Sequence, residues 1–483
     1  MHLRKVSRFN CFHCLSSPRF YTEIKRHFPF EVTDNQNDAI LKFDEFLSAG
    51  AFAFVLKGYA GTGKTTLIAS LVKARNAKNL KTVLLAPTGR AAKVMGKYAG
   101  KAAFTIHRYI YMPSTVGSKI SFRLKENKAT RMLFVVDESS MITANSTSEF
   151  GTSKSVLHDL LEFVSEGSQC SILFVGDNAQ LPPVGQEESP ALNLNYLQAI
   201  LNDKPKSIEL TQVVRQASES QIISNATLIR DYLHDKIFEG LKFNVGADLI
   251  RLVDGYDIQD RMTECFQNEQ EETKLIVRSN KRANLYNRQI RSQILWLENE
   301  LASGDELMVV KNNYFWVEKK SEMGFIANGE TLEILSYKNI IELYGFRFAD
   351  AEVRFPDFPS EKPIEVKILL DVLDLEGPNL GYQKQSAFLN EVLQDYQHLS
   401  KTQALQAVMK NEYFNALQVK FAYAVTCHKA QGGQWKNVFV EQSWMPTGKP
   451  DAEYYRWLYT AMTRATDKVY LLGFSNDYFH DSF

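Results

Sequence analysis

The chain has 483 residues, of which 45% are apolar and 23% charged, ordinary globular values that exclude a disordered, collagen-like or disulfide-framed chain. Lysine plus arginine and aspartate plus glutamate each number 56, so the formal net charge is +0 and a globally basic coat for nucleic acid is excluded. This length predicts roughly two to four domains.

The amino-terminal segment is basic and contains a cysteine pair. Residues 1–22 carry arginine and lysine but no acid, a balance found in transit peptides, and an upstream-extended start or a disordered tail is the interpretation favoured here. Cys11 and Cys14 resemble half of a zinc site, but no second ligand pair follows. Five scattered cysteines and no apolar run of about 18 residues predict a reduced cytoplasmic protein without a membrane span.

From about Thr33, short apolar runs alternate with helical patterns, which predicts a parallel sheet with crossover helices. Some of these runs have the composition of buried strands and are each followed by a polar motif. They are Phe52–Leu56, Thr82–Leu85, Leu133–Val136 and Ser171–Val175. Because ligands in open α/β sheets bind at the carboxyl ends of the strands, we expect the motifs to converge on one crevice.

The first motif, Gly58–Thr65, fits the phosphate-binding pattern GxxxxGK[ST] between a strand and a helix. Backbone N–H groups of such a loop surround phosphates, and the helix N-terminus adds partial positive charge. Lys64 is predicted to reach the β- and γ-phosphates, and the Thr65 hydroxyl to ligate Mg²⁺. A glycine-rich turn without a ligand is the alternative.

Acidic and amide side chains follow the third and fourth runs. Asp137 is assigned to the metal shell that it shares with Thr65, and Glu138 to the base that orients or deprotonates the attacking water. Gln180 is predicted to hydrogen-bond the γ-phosphate or that water. The alternatives are a strand-ending acidic turn for the carboxylates and a strand terminator for the Pro182-Pro183 pair beside Gln180.

A second α/β unit is predicted to begin near Lys274, with a strand at Leu275–Val277 and a helix at Lys281–Leu295. It resumes in further strand-like runs at Phe421–Val425, Asn437–Val440 and Lys468–Leu472. Between them, roughly Gly304–Val419 is β-rich with turns and then shows a polar helical pattern at Gln383–Leu417, which indicates an insertion.

Two arginines are candidates for a cation supplied from across a cleft, a contribution of about 10³–10⁵-fold in the rate of phosphoryl transfer. Arg215 lies in the segment Leu210–Gln216, and Arg464 lies in Leu458–Ala465, on a predicted helix of the second unit. A solvated surface position is the alternative for each of them.

The order of these motifs resembles the superfamily 1B helicases, the RecD-like and Dda-like group, over roughly Thr33 to Leu472. Further segments carry the resemblance: Ala86–Ala92, Thr105–His107, Asn328–Glu330 and Ala424–Gly432. It implies an α/β fold of two RecA-like P-loop domains that close on ATP, with single-stranded DNA running across both. A β-hairpin insertion in the first domain and an SH3-like plus helical insertion in the second are implied as well.

The resemblance also implies domain limits. Residues 1–30 are an amino-terminal extension, and 31–212 form domain 1A with a pin insertion, 1B, at about 108–131. Domain 2A comprises 213–303 and 420–483, and the inserted domain 2B comprises 304–419, with an SH3-like part and a helical arm.

For the nucleotide, the resemblance implies that Gln36 contacts the adenine, Gln180 senses the γ-phosphate, and Arg215 and Arg464 reach the triphosphate from the second domain. The other nucleotide contacts that it implies are Gly61, Thr62, Gly63, Thr66 and Gly433.

For DNA, the resemblance implies contacts that bind phosphates without reading base edges. They are Pro87, Thr88, Gly89 and His107 in the first domain, and Thr426, His428 and Lys429 in the second. Plain packed or exposed positions are the alternative for the two histidines. In the predicted hairpin that follows His107, Phe122 or Tyr111 is expected to abut the duplex junction, and a surface hairpin without that role is the alternative.

The sequence therefore predicts a monomeric, cytoplasmic, ATP- and Mg²⁺-dependent helicase that moves 5′ to 3′ on single-stranded DNA and unwinds forked duplexes. The alternative is a P-loop ATPase with a remodelling or signalling role, and a third hypothesis is a binding module with a vestigial ATPase site. The intact Lys64, Glu138 and Arg464 favour the motor.

Overall fold

The computed structural model describes residues 20–116, 119–145, 155–214, 219–317, 321, 323–443, 445 and 448–480, and only the backbone within 113–122. Its helices are α1 (Tyr21–Arg26), α2 (Asp34–Ala49), α3 (Lys64–Ala77), α4 (Gly89–Ala99), α5 (Ile106–Ile110), α6 (Val156–Glu166), α7 (Leu194–Leu201), α8 (Gln221–Asp235), α9 (Gly255–Asn268), α10 (Asn280–Gln289), α11 (Gly381–Gln394), α12 (Lys401–Val408), α13 (Cys427–Ala430) and α14 (Ala452–Met462). Among these helices none is both long and apolar enough to cross a membrane.

The strands are β1 (Ala53–Gly58), β2 (Thr82–Ala86), β3 (Ala103–Thr105), β4 (Tyr111–Val116), β5 (Lys119–Leu124), β6 (Leu133–Val136), β7 (Ser171–Gly176), β8 (Lys206–Leu210), β9 (Leu249–Leu252), β10 (Thr273–Val277), β11 (Glu306–Val309), β12 (Thr331–Leu343), β13 (Phe346–Arg354), β14 (Ile364–Leu369), β15 (Val419–Phe421), β16 (Ala424–Thr426), β17 (Trp435–Glu441) and β18 (Ala465–Leu472). Below, the first half means residues 20–214 and the second half means residues 219–480.

The first half is built on a parallel sheet of six strands in the order β3-β2-β6-β7-β1-β8. The four strands expected from the sequence are β1, β2, β6 and β7. They lie next to one another in the sheet, in the order β2-β6-β7-β1. Helices cover both faces, since Phe134 and Val136 pack into the core on one side while Leu133 and Val135 pack on the other. Burial on both faces explains why these strands are continuous apolar runs.

The second half contains another parallel sheet, with the order β16-β10-β17-β18-β9. Together the two parallel sheets confirm the predicted α/β class. The prediction that the second unit begins near Lys274 was wrong, because β9 at Leu249–Leu252 already pairs with β18. Only the two terminal leucines of this edge strand are buried, so it lacks the apolar run of a central strand.

A third sheet is antiparallel, in the order β14-β13-β12-β11-β15. Helix α11 packs against it through Phe388 and Val392, and α12 through Val408, in a small core with Phe348 of β13. The expected polar helical stretch is therefore two helices. The SH3-like character and the limits of the inserted domain stay predictions.

A two-stranded hairpin, β4–β5, leaves the first sheet directly after α5. Its register runs from Tyr111 opposite Leu124 to Val116 opposite Lys119. Tyr111 lies at the root of the hairpin, where its hydroxyl donates a hydrogen bond to Asp159 Oδ2 over 2.6 Å. The Phe122 side chain, predicted to meet a duplex junction, lies outside the described residues.

Candidate active site

The loop between β1 and α3 has the backbone that phosphate binding requires. Gly61 and Gly63 have φ values of 75° and 80°, in the left-handed region that favours glycine. A Cβ at Gly63 would lie 2.5 Å from Gln36 Nε2. Gln36 donates to the Thr62 carbonyl over 2.9 Å and accepts from the Thr33 N–H over 3.1 Å. Gln36 thus ties the loop to the start of α2, and its adenine contact stays a prediction.

Lys64 opens α3 with its ammonium folded back over the loop. Its Nζ donates to the carbonyls of Gly58 and Tyr59 over 2.6 and 2.9 Å, and lies 4.0 Å from Asp177 Oδ2. Thr65 and Thr66 follow in the first turn of α3, both half-buried. The helix N-terminus and the ammonium therefore face the same loop, as an anionic ligand requires.

The acidic pair follows β6 at the edge of the sheet beside this loop. The Asp137 N–H donates to the Leu85 carbonyl over 2.9 Å, and the Glu138 N–H donates to Asp137 Oδ1 over 2.9 Å. Glu138 adopts a left-handed conformation, with φ at 49°, which is costly for a residue with a Cβ and is common at functional sites. Burial, and then the charge of Glu138, raise the pKa of Asp137.

The oxygen donors fit the magnesium ion that the sequence implies. Thr65 and Asp137 offer a hydroxyl and a carboxylate. Burial disfavours the ionised form of Asp137 and so raises its pKa, and a nearby cation would stabilise that ionised form. Within the described residues no three His, Cys, Asp or Glu side chains form a metal cluster. The Thr65 hydroxyl and the Asp137 carboxylate suit Mg²⁺, which takes one or two carboxylates and completes its shell with phosphates and water.

Gln180, Glu138 and Arg464 form a contact across the cleft between the two halves. Arg464 is 4% exposed, and its Nη1 lies 3.6 Å from Glu138 Oε1. With its amide nitrogen towards Glu138, Gln180 donates to Oε2 over 3.3 Å, and its oxygen accepts from Arg464 Nη2 over 3.1 Å. Arg464 also donates to the carbonyl of Gly433 over 3.4 Å. Three residues predicted separately from three motifs thus meet at one point.

Arg215 lies outside the described residues. The segment before it, however, is anchored to the phosphate loop. The Val214 N–H donates to the Gly61 carbonyl over 2.9 Å, and the Thr211 N–H donates to Asn35 Oδ1 over 2.7 Å. The role of Arg215 in reaching the triphosphate stays a prediction.

Tyr459 and Asp177 are two residues of this site that were not predicted from the sequence. The Tyr459 hydroxyl of α14 donates to Asp177 Oδ2 over 2.6 Å and accepts from the Ala60 N–H of the phosphate loop over 2.8 Å. Each of these two side chains is 1% exposed. Asp177 directly follows β7, and ligands in open α/β sheets bind at the carboxyl ends of the strands, so its position in the sequence could have indicated it. No sequence signal pairs it with Tyr459.

A second missed contact holds the loop after β7 to the second half. The Leu181 N–H donates to Thr460 Oγ1 over 2.9 Å, and Gln431 Nε2 donates to the Leu181 carbonyl over 2.8 Å. Both backbone polar groups of Leu181 are therefore bonded by side chains from the other half. The loop that carries Gln180 is positioned by α14 and by the segment that follows α13.

Segments predicted to contact DNA from the two halves lie against each other. The Thr88 side chain caps α4, and a Cβ on Gly432 would lie 2.8 Å from Thr88 Oγ1. Arg90 Nη2 donates to the Gln434 carbonyl over 2.9 Å, and its guanidinium lies 4.2 Å from the Trp435 ring centroid. The start of α4 and the segment after α13 therefore form one continuous surface.

Gly89, next to Pro87 and Thr88, faces the inserted sheet. A Cβ there would lie 3.4 Å from Glu330 Oε1. Burial raises the pKa of Glu330 to about 8, and its Oε2 accepts from the Ala327 N–H over 3.0 Å. The third sheet thus approaches the predicted DNA-contacting segment of the first half through a carboxyl group that is mostly protonated at neutral pH.

The remaining predicted DNA contacts are partly buried. Burial lowers the pKa of His107 to about 4, so its imidazole is neutral, and its ring lies 5.8 Å from that of Tyr111. Burial also lowers the pKa of His428, and lowers that of Lys429 to about 8, with a smaller contribution from Lys420. Thr426, which precedes α13, makes no capping hydrogen bond through its side chain. Its hydroxyl and the Lys429 ammonium therefore suit an anionic partner better than the histidines do.

Comparison with known proteins places this site in context. A family profile for the AAA domain matches residues 31–244, and one for the UvrD-like helicase C-terminal domain matches 421–472. The ATP-dependent DNA helicase Dda of Enterobacteria phage T4 is 25% identical over 429 residues, 85% of this chain and 92% of the relative. The ATP-dependent RecD2 DNA helicase of Deinococcus radiodurans is 35% identical over 180 residues, 37% of this chain and 22% of the relative.

Among solved structures, Pif1 helicases have a similar chain path. The structure described as the basis for DNA unwinding at forked duplex DNA by two coordinating Pif1 helicases is 17% identical. The similarity covers 93% of this chain and 94% of that one, with a TM-score of 0.47.

Proposed function

Because the chain belongs to the superfamily 1B helicases, we propose that it is a DNA helicase that couples ATP hydrolysis to closure of its two halves. The observation that carries the proposal is the contact of Glu138, Gln180 and Arg464 across the cleft. A base, a sensor and a cation from separate elements meet beside the phosphate loop only when both halves are together.

The chemistry follows from which groups face the loop. Lys64 and the loop N–H groups would bind the β- and γ-phosphates, and Thr65 and Asp137 would hold Mg²⁺, which would neutralise phosphate charge. Glu138 orients or deprotonates the attacking water, within reach of Gln180. Arg464 stabilises negative charge that develops on the phosphoryl group. Since Arg464 belongs to the second half, hydrolysis is sensitive to the separation of the halves.

The proposed strand path crosses the surface where Thr88 meets Gly432. Backbone groups and hydroxyls there, with Lys429, bind phosphates and give little sequence preference. The hairpin β4–β5 would separate base pairs, at a cost of about 1.4 kcal/mol of lost stacking per step. In this proposal residues 31–212 act as domain 1A, and 213–303 with 420–483 act as domain 2A. The insertion 304–419 acts as domain 2B.

We expect single-stranded DNA to stimulate ATP hydrolysis by this protein, because a strand bound across both halves favours the closed cleft. The measurement is steady-state phosphate release with and without an unstructured oligonucleotide, and duplex DNA serves as the control. Stimulation by no nucleic acid would exclude the motor and leave the remaining P-loop ATPase functions.

We also expect the motor to travel 5′ to 3′. A strand-displacement assay distinguishes the two directions. It uses two partial duplexes of equal length, one with a single 5′ single-stranded tail and one with a single 3′ tail. Unwinding should require the 5′ tail. If only the substrate with a 3′ tail is unwound, the proposed direction is reversed while the helicase activity stands.

A further inference from the structure

Tyr459 occupies a position between two polar groups that belong to the other half. Its hydroxyl accepts from the N–H of Ala60 and donates to Asp177. The phosphate loop at Tyr59 and Ala60 also packs against the hydrophobic core of the second half. Helix α14 therefore contacts the phosphate loop itself, independently of the contact between Arg464 and Glu138.

The Asp177 carboxylate accepts from the Ala179 N–H at Oδ1 over 2.9 Å and has two further partners at Oδ2, which lie at different distances. The Tyr459 hydroxyl is at 2.6 Å, and the Lys64 ammonium is at 4.0 Å from the same Oδ2 atom. Lys64 is also the group expected to bind the phosphates. A buried carboxylate that loses one donor takes the nearest cation, because an unpaired buried charge is costly. Tyr459 and the phosphates thus determine together how strongly Asp177 attracts Lys64.

Helix α14 carries this hydroxyl, and Arg464, the cation of the active site, follows two residues after the helix ends. Tyr459 and Arg464 are both buried, and the Tyr459 carbonyl accepts from the Thr463 hydroxyl over 2.8 Å. The Leu181 N–H bonds to the adjacent Thr460. A shift of α14 that moves Arg464 relative to Glu138 also moves Tyr459 relative to Asp177.

Resting on the proposed function, we propose that Tyr459 is a positioning residue that makes Lys64 respond to the closure of the two halves. With α14 seated, the Tyr459 hydroxyl satisfies Asp177 and leaves Lys64 available to the phosphates. With α14 withdrawn, Asp177 loses that donor and pairs with Lys64. DNA that closes the cleft therefore activates hydrolysis through Lys64 as well as through Arg464.

The test compares Tyr459→Phe with Tyr455→Phe. Tyr455 is a buried tyrosine of the same helix whose hydroxyl has no hydrogen-bond partner among the described residues. Steady-state ATPase is measured with and without saturating single-stranded DNA, and thermal unfolding checks both folds. For Tyr459→Phe the DNA-stimulated kcat should fall about tenfold or more, since a hydrogen bond to a charged group is lost. Because losing a buried hydrogen bond also lowers stability, both rates are measured well below the Tm of each variant, and the ratio of the DNA-stimulated to the DNA-free rate should fall for Tyr459→Phe and not for Tyr455→Phe.

A second measurement distinguishes positioning from packing. If Tyr459 acts through Asp177, then Asp177→Asn removes the charge that competes for Lys64, so it should raise the DNA-free rate, and adding Tyr459→Phe to it should change the stimulated kcat little. Equal stimulated rates for the two tyrosine variants would overturn the proposal, as would a purely additive double variant. Loss of stimulation in the unmodified protein contradicts the proposed motor itself, whereas normal stimulation of Tyr459→Phe contradicts only the role of Tyr459.

Discussion

Replacement of Lys64 by alanine should abolish ATP hydrolysis, with a loss of about 10²–10³-fold or more in kcat. The Lys64 ammonium lies inside the loop, bonded to the Gly58 and Tyr59 carbonyls and 4.0 Å from Asp177. No other lysine opens α3 at the turn that faces the loop, so no neighbour replaces its charge at the phosphates. Phosphate release at saturating DNA measures the effect.

Lys73→Ala is the matched control for this variant. Lys73 lies on the same helix, but its side chain is exposed. It should retain normal hydrolysis, and both variants should unfold at the temperature of the unmodified protein. If Lys64→Ala kept more than about a tenth of the activity with a normal fold, the loop would not be the hydrolytic site.

Glu138→Gln should bind ATP normally yet turn it over about 10²–10⁴-fold more slowly, as expected when a general base is removed. Glutamine has nearly the same shape as glutamate, and it keeps an acceptor for Arg464, which lies 3.6 Å from the present carboxylate. Because the charge of Glu138 raises the pKa of Asp137, its removal lowers that pKa. Asp137 then stays ionised, which preserves nucleotide and magnesium binding.

The matching measurements are equilibrium binding of a fluorescent ATP analogue and hydrolysis in a single turnover. Glu126→Gln is the control, because Glu126 is an exposed glutamate in the same half that pairs only with Lys128 among the described residues. If Glu138→Gln retained most of the turnover, the base assigned to water activation would be wrong. If it lost nucleotide binding instead, Glu138 would have a structural role.

The local parts of the site could be predicted because each depends on a short run of sequence. A buried strand followed by Gly58–Thr65 specifies a loop that wraps phosphate, whatever the rest of the chain does. The carboxylates Asp137 and Glu138 follow a fully apolar strand, which places them at a sheet edge. The neighbouring order of β2, β6, β7 and β1 then brings these strand ends together. The edge strand β9 was not predicted because only Leu249 and Leu252 are buried, so it lacks the continuous apolar run of a central strand.

The residues predicted to contact DNA show what could not be predicted from the sequence. His107 and Lys429 were assigned by resemblance as phosphate contacts, but burial lowers the pKa of each, leaving the His107 imidazole neutral. Burial is a property of the whole fold, so residue type alone does not show whether a side chain carries charge. Glu330, with a pKa raised to about 8, is a further example.

By itself, the sequence determined the α/β class and predicted a nucleotide-binding loop at Gly58–Thr65, because strand composition and loop chemistry act over a few residues. Only the tertiary structure decided which groups from distant segments share the site. Tyr459 meets Asp177 and Ala60, and Gln431 meets Leu181, across a cleft between the two halves. Such pairs form because closing two surfaces buries polar groups that must find partners, and no periodicity in the chain records which partner each will find.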